Sequence, residues 1–114
     1  MIKKYTMQFK NIKPLLPPAE RYETWRKGNQ WYSLLTDQDV YILSLSQEND
    51  GLIRRFGVVE RCGVNVKEFI DITYDDLKRK GYSSFAEVIA EMKLMYENFD
   101  PETDCISMVR MELL

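Results

Sequence analysis

The chain has 114 residues, of which 45% are hydrophobic and 30% are charged, so it is long enough for one domain with a buried core and lacks a composition typical of disorder. Its formal net charge of −2 at pH 7 argues against a protein that coats nucleic acid, because neutralising many phosphates requires a net basic surface. The absence of histidine excludes Ser–His and Cys–His nucleophile pairs and every zinc site that contains histidine.

The charges are distributed unevenly along the chain. Residues 1–30 contain seven Lys or Arg against two Glu, whereas residues 71–104 contain four Lys or Arg against nine Asp or Glu. A basic N-terminal quarter on an acidic body can still hold one anionic ligand. The sequence therefore predicts that any activity lies around the basic segment Arg21–Lys27.

The two cysteines and the lack of a long apolar run indicate the cellular compartment in which the protein is expected. Cys62 and Cys105 do not have the spacing of metal ligands, and we expect both to be reduced and buried, with no metal or cofactor bound. No stretch approaches the ~20 apolar residues of a membrane span, and no signal-peptide pattern is present. The prediction is one cytoplasmic domain over residues 1–114 with no membrane partner.

The first third of the chain predicts one strand followed by irregular structure. Residues 5–9 alternate apolar and polar, which is typical of a strand. Three prolines within residues 10–18 break regular structure. Residues 18–25 are compatible with one or two helical turns, with Pro18 near the first position, and residues 26–36 are predicted to be irregular.

The middle of the chain predicts a hairpin. Residues 40–46 (VYILSLS) are rich in strand-forming residues, and residues 47–51 end in Asp-Gly, which favours a tight turn. The returning strand is expected over residues 52–61, with Gly57 marking a bulge or a close backbone approach. Residues 64–70 either extend this strand or form a further short one.

Two helix starts follow. Thr73 and Asp76 have the spacing of a capping box with Asp in place of Glu, and Gly81 is expected to end that short helix. Ser84 and Glu87 form a second capping box. The helix behind it carries apolar residues at helical spacing, which predicts one buried face: Phe85, Val88, Ile89, Met92, Met95, Tyr96 and Phe99.

Residues 105–113 alternate again and are predicted to close the chain as a strand. This strand must rejoin the sheet after the two helices. The predicted fold class is therefore α+β, a small partly closed β-barrel with two or three flanking helices at one end.

Four local sequences, in this order, resemble the ASCH family of the PUA-like superfamily. Residues 21–26 (RYETWR) resemble a Lys-x-x-Thr-x-Arg motif after the first strand, and residues 39–42 (DVYI) resemble the entry to the next strand. Residues 71–76 (DITYDD) followed by 81–85 (GYSSF) resemble a helix pair of that family. Residues 106–111 (ISMVRM) resemble its closing strand.

The resemblance implies a PUA-like barrel that binds RNA or nucleotides in a cleft beside the barrel. The similar bacterial acetylcytidine amidohydrolases use a Lys, a Thr and a Glu for hydrolysis. Thr24 and Arg26 match the Thr and the Arg of the motif, but Arg21 stands in place of the Lys and Lys80 in place of the Glu. Since Arg stays protonated and Lys is an ordinary cation at neutral pH, neither substitute performs the original chemistry.

We therefore expect a non-enzymatic domain that holds an anionic ligand. The predicted ligand-binding residues are Arg21, Thr24, Trp25, Arg26 and Lys80. Trp25 is included because an aromatic ring among cations can stack on a base, although packing in the core is the commoner role for such a residue.

Two other functions remain open at this point. The first is a small amidohydrolase for a modified nucleoside, in which Glu60 or Glu23 replaces the missing acid. The second is a protein-interaction domain without a small ligand, which would use the acidic body or an exposed sheet edge.

Overall fold

The computed structural model describes residues 2–10, 21–35 and 39–114, which form an α+β fold. Its five strands belong to one sheet: β1 Ile2–Phe9, β2 Arg21–Lys27, β3 Val40–Gln47, β4 Ile53–Glu68 and β5 Cys105–Leu113. Three helices are found in the described residues: α1 Gln30–Leu34, α2 Tyr74–Lys80 and α3 Phe85–Met95, with a 3-10 turn at Phe69–Asp71.

The sheet is open but strongly curled. Its strand order is β1-β3-β4-β5-β2, with β1 parallel to β3 and the other neighbours antiparallel. Strands lie ~4.8 Å apart, so the edges of a flat five-stranded sheet would be separated by ~19 Å. Here Arg26 Nη1 of β2 donates to the Gln8 carbonyl of β1 at 2.6 Å, and the Phe9 and Tyr22 rings lie 6.2 Å apart. The two edge strands therefore face each other, without pairing as strands in the described part.

Two apolar cores lie on opposite sides of this sheet. The core inside the curl consists of Met7, Leu35, Tyr41, Leu43, Leu45, Val109, Met111 and Leu113. The second core packs β2 and β5 against the helices and consists of Trp25, Phe69, Ile72, Leu77, Val88, Met92, Phe99, Ile106 and Met108. Because successive side chains of a strand point to opposite faces, β2 contributes to both cores.

The strands predicted over residues 5–9, 40–46 and 105–113 are confirmed, and the returning strand of the hairpin continues to Glu68. The helical turns predicted for residues 18–25 are wrong over 21–25, which belong to β2; residues 18–20 and most of the proline-rich stretch lie outside the described residues. In β2, Trp25 pairs with Met108 on β5 and its indole is buried. A short isolated helix over these residues would not bury the indole. Residues 30–34, predicted to be irregular, form α1.

Both predicted helix starts are confirmed. Thr73 and Asp76 form a full capping box, and Gly81 ends α2 at a positive φ of 96°. Ser84 accepts from the Glu87 amide, but the Glu87 carboxylate bonds to Ser83 instead of completing the box. None of the described helices combines the length and the apolar character needed to cross a membrane.

The apolar stripe of α3 is only partly buried. Val88, Met92 and Phe99 are buried, whereas Phe85 and Met95 are each 36% exposed. The prediction of one buried face therefore holds for Val88, Met92 and Phe99 but not for Phe85 and Met95.

A large bulge interrupts β4 between Val59 and Val64. Over these five steps of β4, the opposing strand β5 advances only two, from Met111 to Val109. Cys62 within the bulge has a φ of 56°, and it is exposed, so its predicted burial is wrong. Cys105 is half-buried, and both thiols are free.

The bulge depends on Gly63. A Cβ at this position would lie 2.8 Å from the Glu60 carbonyl oxygen and 3.0 Å from that of Arg110, and neither backbone atom can move independently of the sheet. We expect Gly63→Ala to lower the unfolding free energy by about 2 kcal/mol, measured by urea denaturation. At Gly57 a Cβ would meet the Met111 side chain at 2.5 Å, so a side chain and not the predicted backbone approaches this glycine closely.

Gly57→Ala is the matched control, since the flexible Met111 side chain can adjust. Its loss should be smaller than that of Gly63→Ala. Equal losses, or a tolerated Gly63→Ala, would show that the bulge can rearrange.

Candidate functional site

Strand β2 presents the predicted basic segment on two different faces. Tyr22 packs against the core inside the curl, and Trp25 belongs to the core under the helices. By the alternation of a strand, Thr24 and Arg26 share the face of Tyr22, and Glu23 shares the face of Trp25. The segment therefore does not form one continuous ligand surface.

Arg26 is half-buried and held from several sides. Its Nη1 donates to the Gln8 carbonyl at 2.6 Å, its Nε donates to Thr24 Oγ1 at 3.2 Å, and its guanidinium lies 4.4 Å from the centre of the Phe9 ring. Burial lowers the pKa of Arg26, and a hydrogen bond with Tyr96 opposes that shift only in part. No carboxylate of the described residues forms an ion pair with Arg26.

Lys80 at the end of α2 lies beside the same strand. Its Nζ is 5.7 Å from the centre of the Tyr22 ring and 5.1 Å from that of Tyr82. Burial lowers the pKa of Lys80, while the more distant charges of Glu91 and Glu23 act in the opposite direction. Within the described part of the chain, this ammonium also lacks an ion pair.

Tyr22 lies close to both cations, and Tyr82 lies beside Lys80. Tyr22 faces Lys80, and its pKa is raised by burial although the Arg26 charge lowers it. Tyr82 packs against Trp25 with ring centres 5.3 Å apart, and burial together with a hydrogen bond to Glu91 raises its pKa strongly. Tyr22, Arg26, Lys80 and Tyr82 are referred to as the Arg26–Lys80 cluster.

The five predicted ligand residues are thus only partly brought together. Thr24 is buried and accepts from Arg26, so it supports the cluster from inside. Arg21 has an 86% exposed side chain that pairs with Glu60 at 3.0 Å. Trp25 is only 2% exposed and offers no ring face to solvent.

The helix-facing side of β2 carries a separate ionic network. Glu23 accepts from Trp25 Nε1 at 2.5 Å and from two nitrogens of Arg79 at 2.9 and 3.2 Å. Arg79 also donates to Asp76 at 3.0 Å, and Lys67 donates to Asp76 at 2.7 Å. Glu23 belongs to this network, and Glu60 pairs with Arg21. The two carboxylates that were considered as replacement acids, Glu23 and Glu60, are therefore already in ion pairs.

A pocket of about 70 Å³ beside Glu23 and Arg79 is too small for a nucleotide and shares no residue with the Arg26–Lys80 cluster. No group of three or more acidic or Cys side chains is arranged to hold a metal ion in residues 2–10, 21–35 and 39–114.

Sequence reasoning missed Tyr22, Tyr82, Tyr96 and Glu91. The two cluster tyrosines had a signal, because each lies within a few positions of a predicted cation. Tyr96 and Glu91 had none, since α3 reaches β2 only through tertiary packing.

Chemically, the cluster can hold an anion and a flat ring. Arg26 supplies directed N–H donors whose orientation is fixed by the groups around it, Lys80 supplies a second positive charge, and the tyrosines supply ring surfaces. No protein-family model, curated protein or solved structure matches this chain.

Proposed function

We propose that this protein is a non-enzymatic domain that binds RNA or a nucleotide, with a phosphate held at the Arg26–Lys80 cluster. The observation that carries the proposal is a pair of half-buried cations without a carboxylate partner in the described residues. Burying an unpaired cation costs free energy, which is recovered when an anion binds beside it.

The surroundings of the two cations favour a nucleotide-like ligand over a bare anion. The rings of Tyr22 and Tyr82 lie next to Lys80, and base stacking on such rings adds ~1–3 kcal/mol per base. The curled sheet with helices packed beside β2 supports the resemblance to a PUA-like ASCH domain, in which the ligand occupies a cleft beside the barrel. A cytoplasmic location is part of the same proposal.

The test is binding of a fluorescently labelled single-stranded RNA of about ten nucleotides, followed by anisotropy. We expect affinity to fall between about 50 and about 200 mM salt, because binding releases counterions from the phosphates. Arg26→Ala should weaken binding at least about 30-fold, since a charge-assisted hydrogen bond and a positive charge are lost together.

Arg26 also joins the two sheet edges, so its structural role needs a control. Arg26→Lys keeps the charge but loses the contact geometry of the guanidinium, and we expect intermediate binding. Thermal unfolding of each variant establishes that the protein is folded at the assay temperature. A folded Arg26→Ala protein that binds the RNA as well as the wild type, or binding that is indifferent to salt, would refute the proposal.

A further inference from the structure

An exposed apolar patch lies where the 3-10 turn meets the starts of α2 and α3. Ile70 is 65% exposed, Tyr74 58% and Phe85 36%. The Tyr74 and Phe85 rings contact each other edge to face, with centres 6.4 Å apart. Phe69 is buried beneath them and contacts Phe85 in the same manner. These contacts hold the Tyr74 and Phe85 rings against the buried Phe69.

The patch is bordered by unneutralised negative charge. Glu68 precedes the 3-10 turn, Asp71 is its last residue, and Asp75 follows Tyr74 in the first turn of α2. All three are exposed, and none forms an ion pair within the described residues. Lys78, with its Nζ 5.8 Å from the centre of the Tyr74 ring, is a cation in contact with the patch.

We propose that this patch docks a basic segment of a partner protein. An apolar side chain of the segment packs on Tyr74 and Phe85, while its Lys or Arg residues face Asp71 and Asp75. The choice of partner follows from charge complementarity: an acidic border attracts a cationic segment and repels both nucleic acid and anionic lipid. Aromatic faces accept cations as well as apolar groups, as Lys78 already shows.

The patch is independent of the Arg26–Lys80 cluster, since the two share no residue. A protein that binds RNA at one surface and a basic protein segment at another would act as an adaptor. The two proposals can therefore fail separately, because each has its own variants and its own ligand.

The experiment selects a phage-displayed library of random peptides of about 12 residues on the immobilised wild-type protein. We expect enriched sequences to combine Lys or Arg with large apolar residues. A synthetic peptide of the enriched sequence should bind at least about tenfold more weakly to Tyr74→Ser and to Asp75→Lys, and more weakly in high salt.

Leu94→Ser is the matched control. Leu94 is 77% exposed near the far end of α3, so this variant removes a similar apolar group away from the patch. The peptide should bind it as it binds the wild type. No enrichment, enriched acidic peptides, or equal binding to Tyr74→Ser would overturn the proposal. So would a wild-type dimer in sedimentation that Tyr74→Ser converts to monomer, because the occupant would then be a second copy of this chain.

Discussion

Replacing Lys80 with methionine is expected to weaken binding of the single-stranded RNA by about 10- to 100-fold, which corresponds to the loss of one charge-assisted contact. The same change should leave the unfolding free energy of the ligand-free protein unchanged or raise it. Methionine keeps the length and the packing of the side chain, and it removes a half-buried charge that has no ion-pair partner in the described residues. The variant would then bind RNA more weakly than the wild type while being at least as stable.

The pH dependence of this stability difference follows from the lowered pKa of Lys80. The folded protein binds the proton of this amine less tightly than the unfolded chain does, so wild-type stability rises as pH increases towards the ordinary value of 10.5. The amount by which the unfolding free energy of Lys80→Met exceeds that of the wild type should thus be largest near neutral pH and shrink in alkaline solution. Urea denaturation of both proteins at several pH values measures it.

Lys78→Met is the control for Lys80→Met. It removes the same charge two positions away, where the side chain is exposed and outside the cluster. RNA binding should change less than about threefold, since only a screened long-range charge is lost. If both variants weaken binding equally, the effect belongs to net charge and the cluster is not the site.

Asp76→Ala is expected to lower the unfolding free energy by about 3 kcal/mol, measured by urea denaturation. Asp76 is 4% exposed and closes the capping box of α2. It also accepts from Lys67 and Arg79, so its loss leaves two cations without this partner. The network joins β4, α2 and, through Glu23, β2, which makes its centre more costly to remove than a surface ion pair.

The effect of Asp76→Ala should depend on pH. Burial on its own would raise the pKa of Asp76, but hydrogen bonds from Lys67, Thr73 and Arg79 hold it well below its ordinary 3.8. Its contribution is therefore fully present above that value and is lost as pH falls further. The gap between wild type and variant should narrow in acid.

Asp75→Ala is the matched control, because Asp75 lies in the same first turn, is exposed and has no ion pair in the described residues. Its cost should stay below about 0.5 kcal/mol. A similar loss for both variants would mean that the charge at the helix start matters and the network does not.

Local sequence patterns were sufficient to predict much of the fold. Alternation and strand-forming residues predicted β3 and β5, and the capping residues Thr73 and Ser84 predicted the starts of α2 and α3. These signals act between near neighbours, so they survive without knowledge of the fold. The pattern failed for β2, whose charged residues give a weak strand signal and whose identity depends on pairing with β5.

In the candidate site, too, some features could be predicted from the sequence and others depended on the tertiary structure. The sequence by itself placed Arg26 and Lys80 among the candidates through a resemblance, and its composition excluded histidine chemistry. Only the tertiary structure decided that Trp25 and Glu23 face the helices while Arg26 faces β1, because a strand sends neighbouring side chains to opposite faces. The tertiary structure also decided that Lys80 lies beside Tyr22. The burial of a charge arises from contacts between segments that are distant along the chain, and local sequence does not encode such contacts.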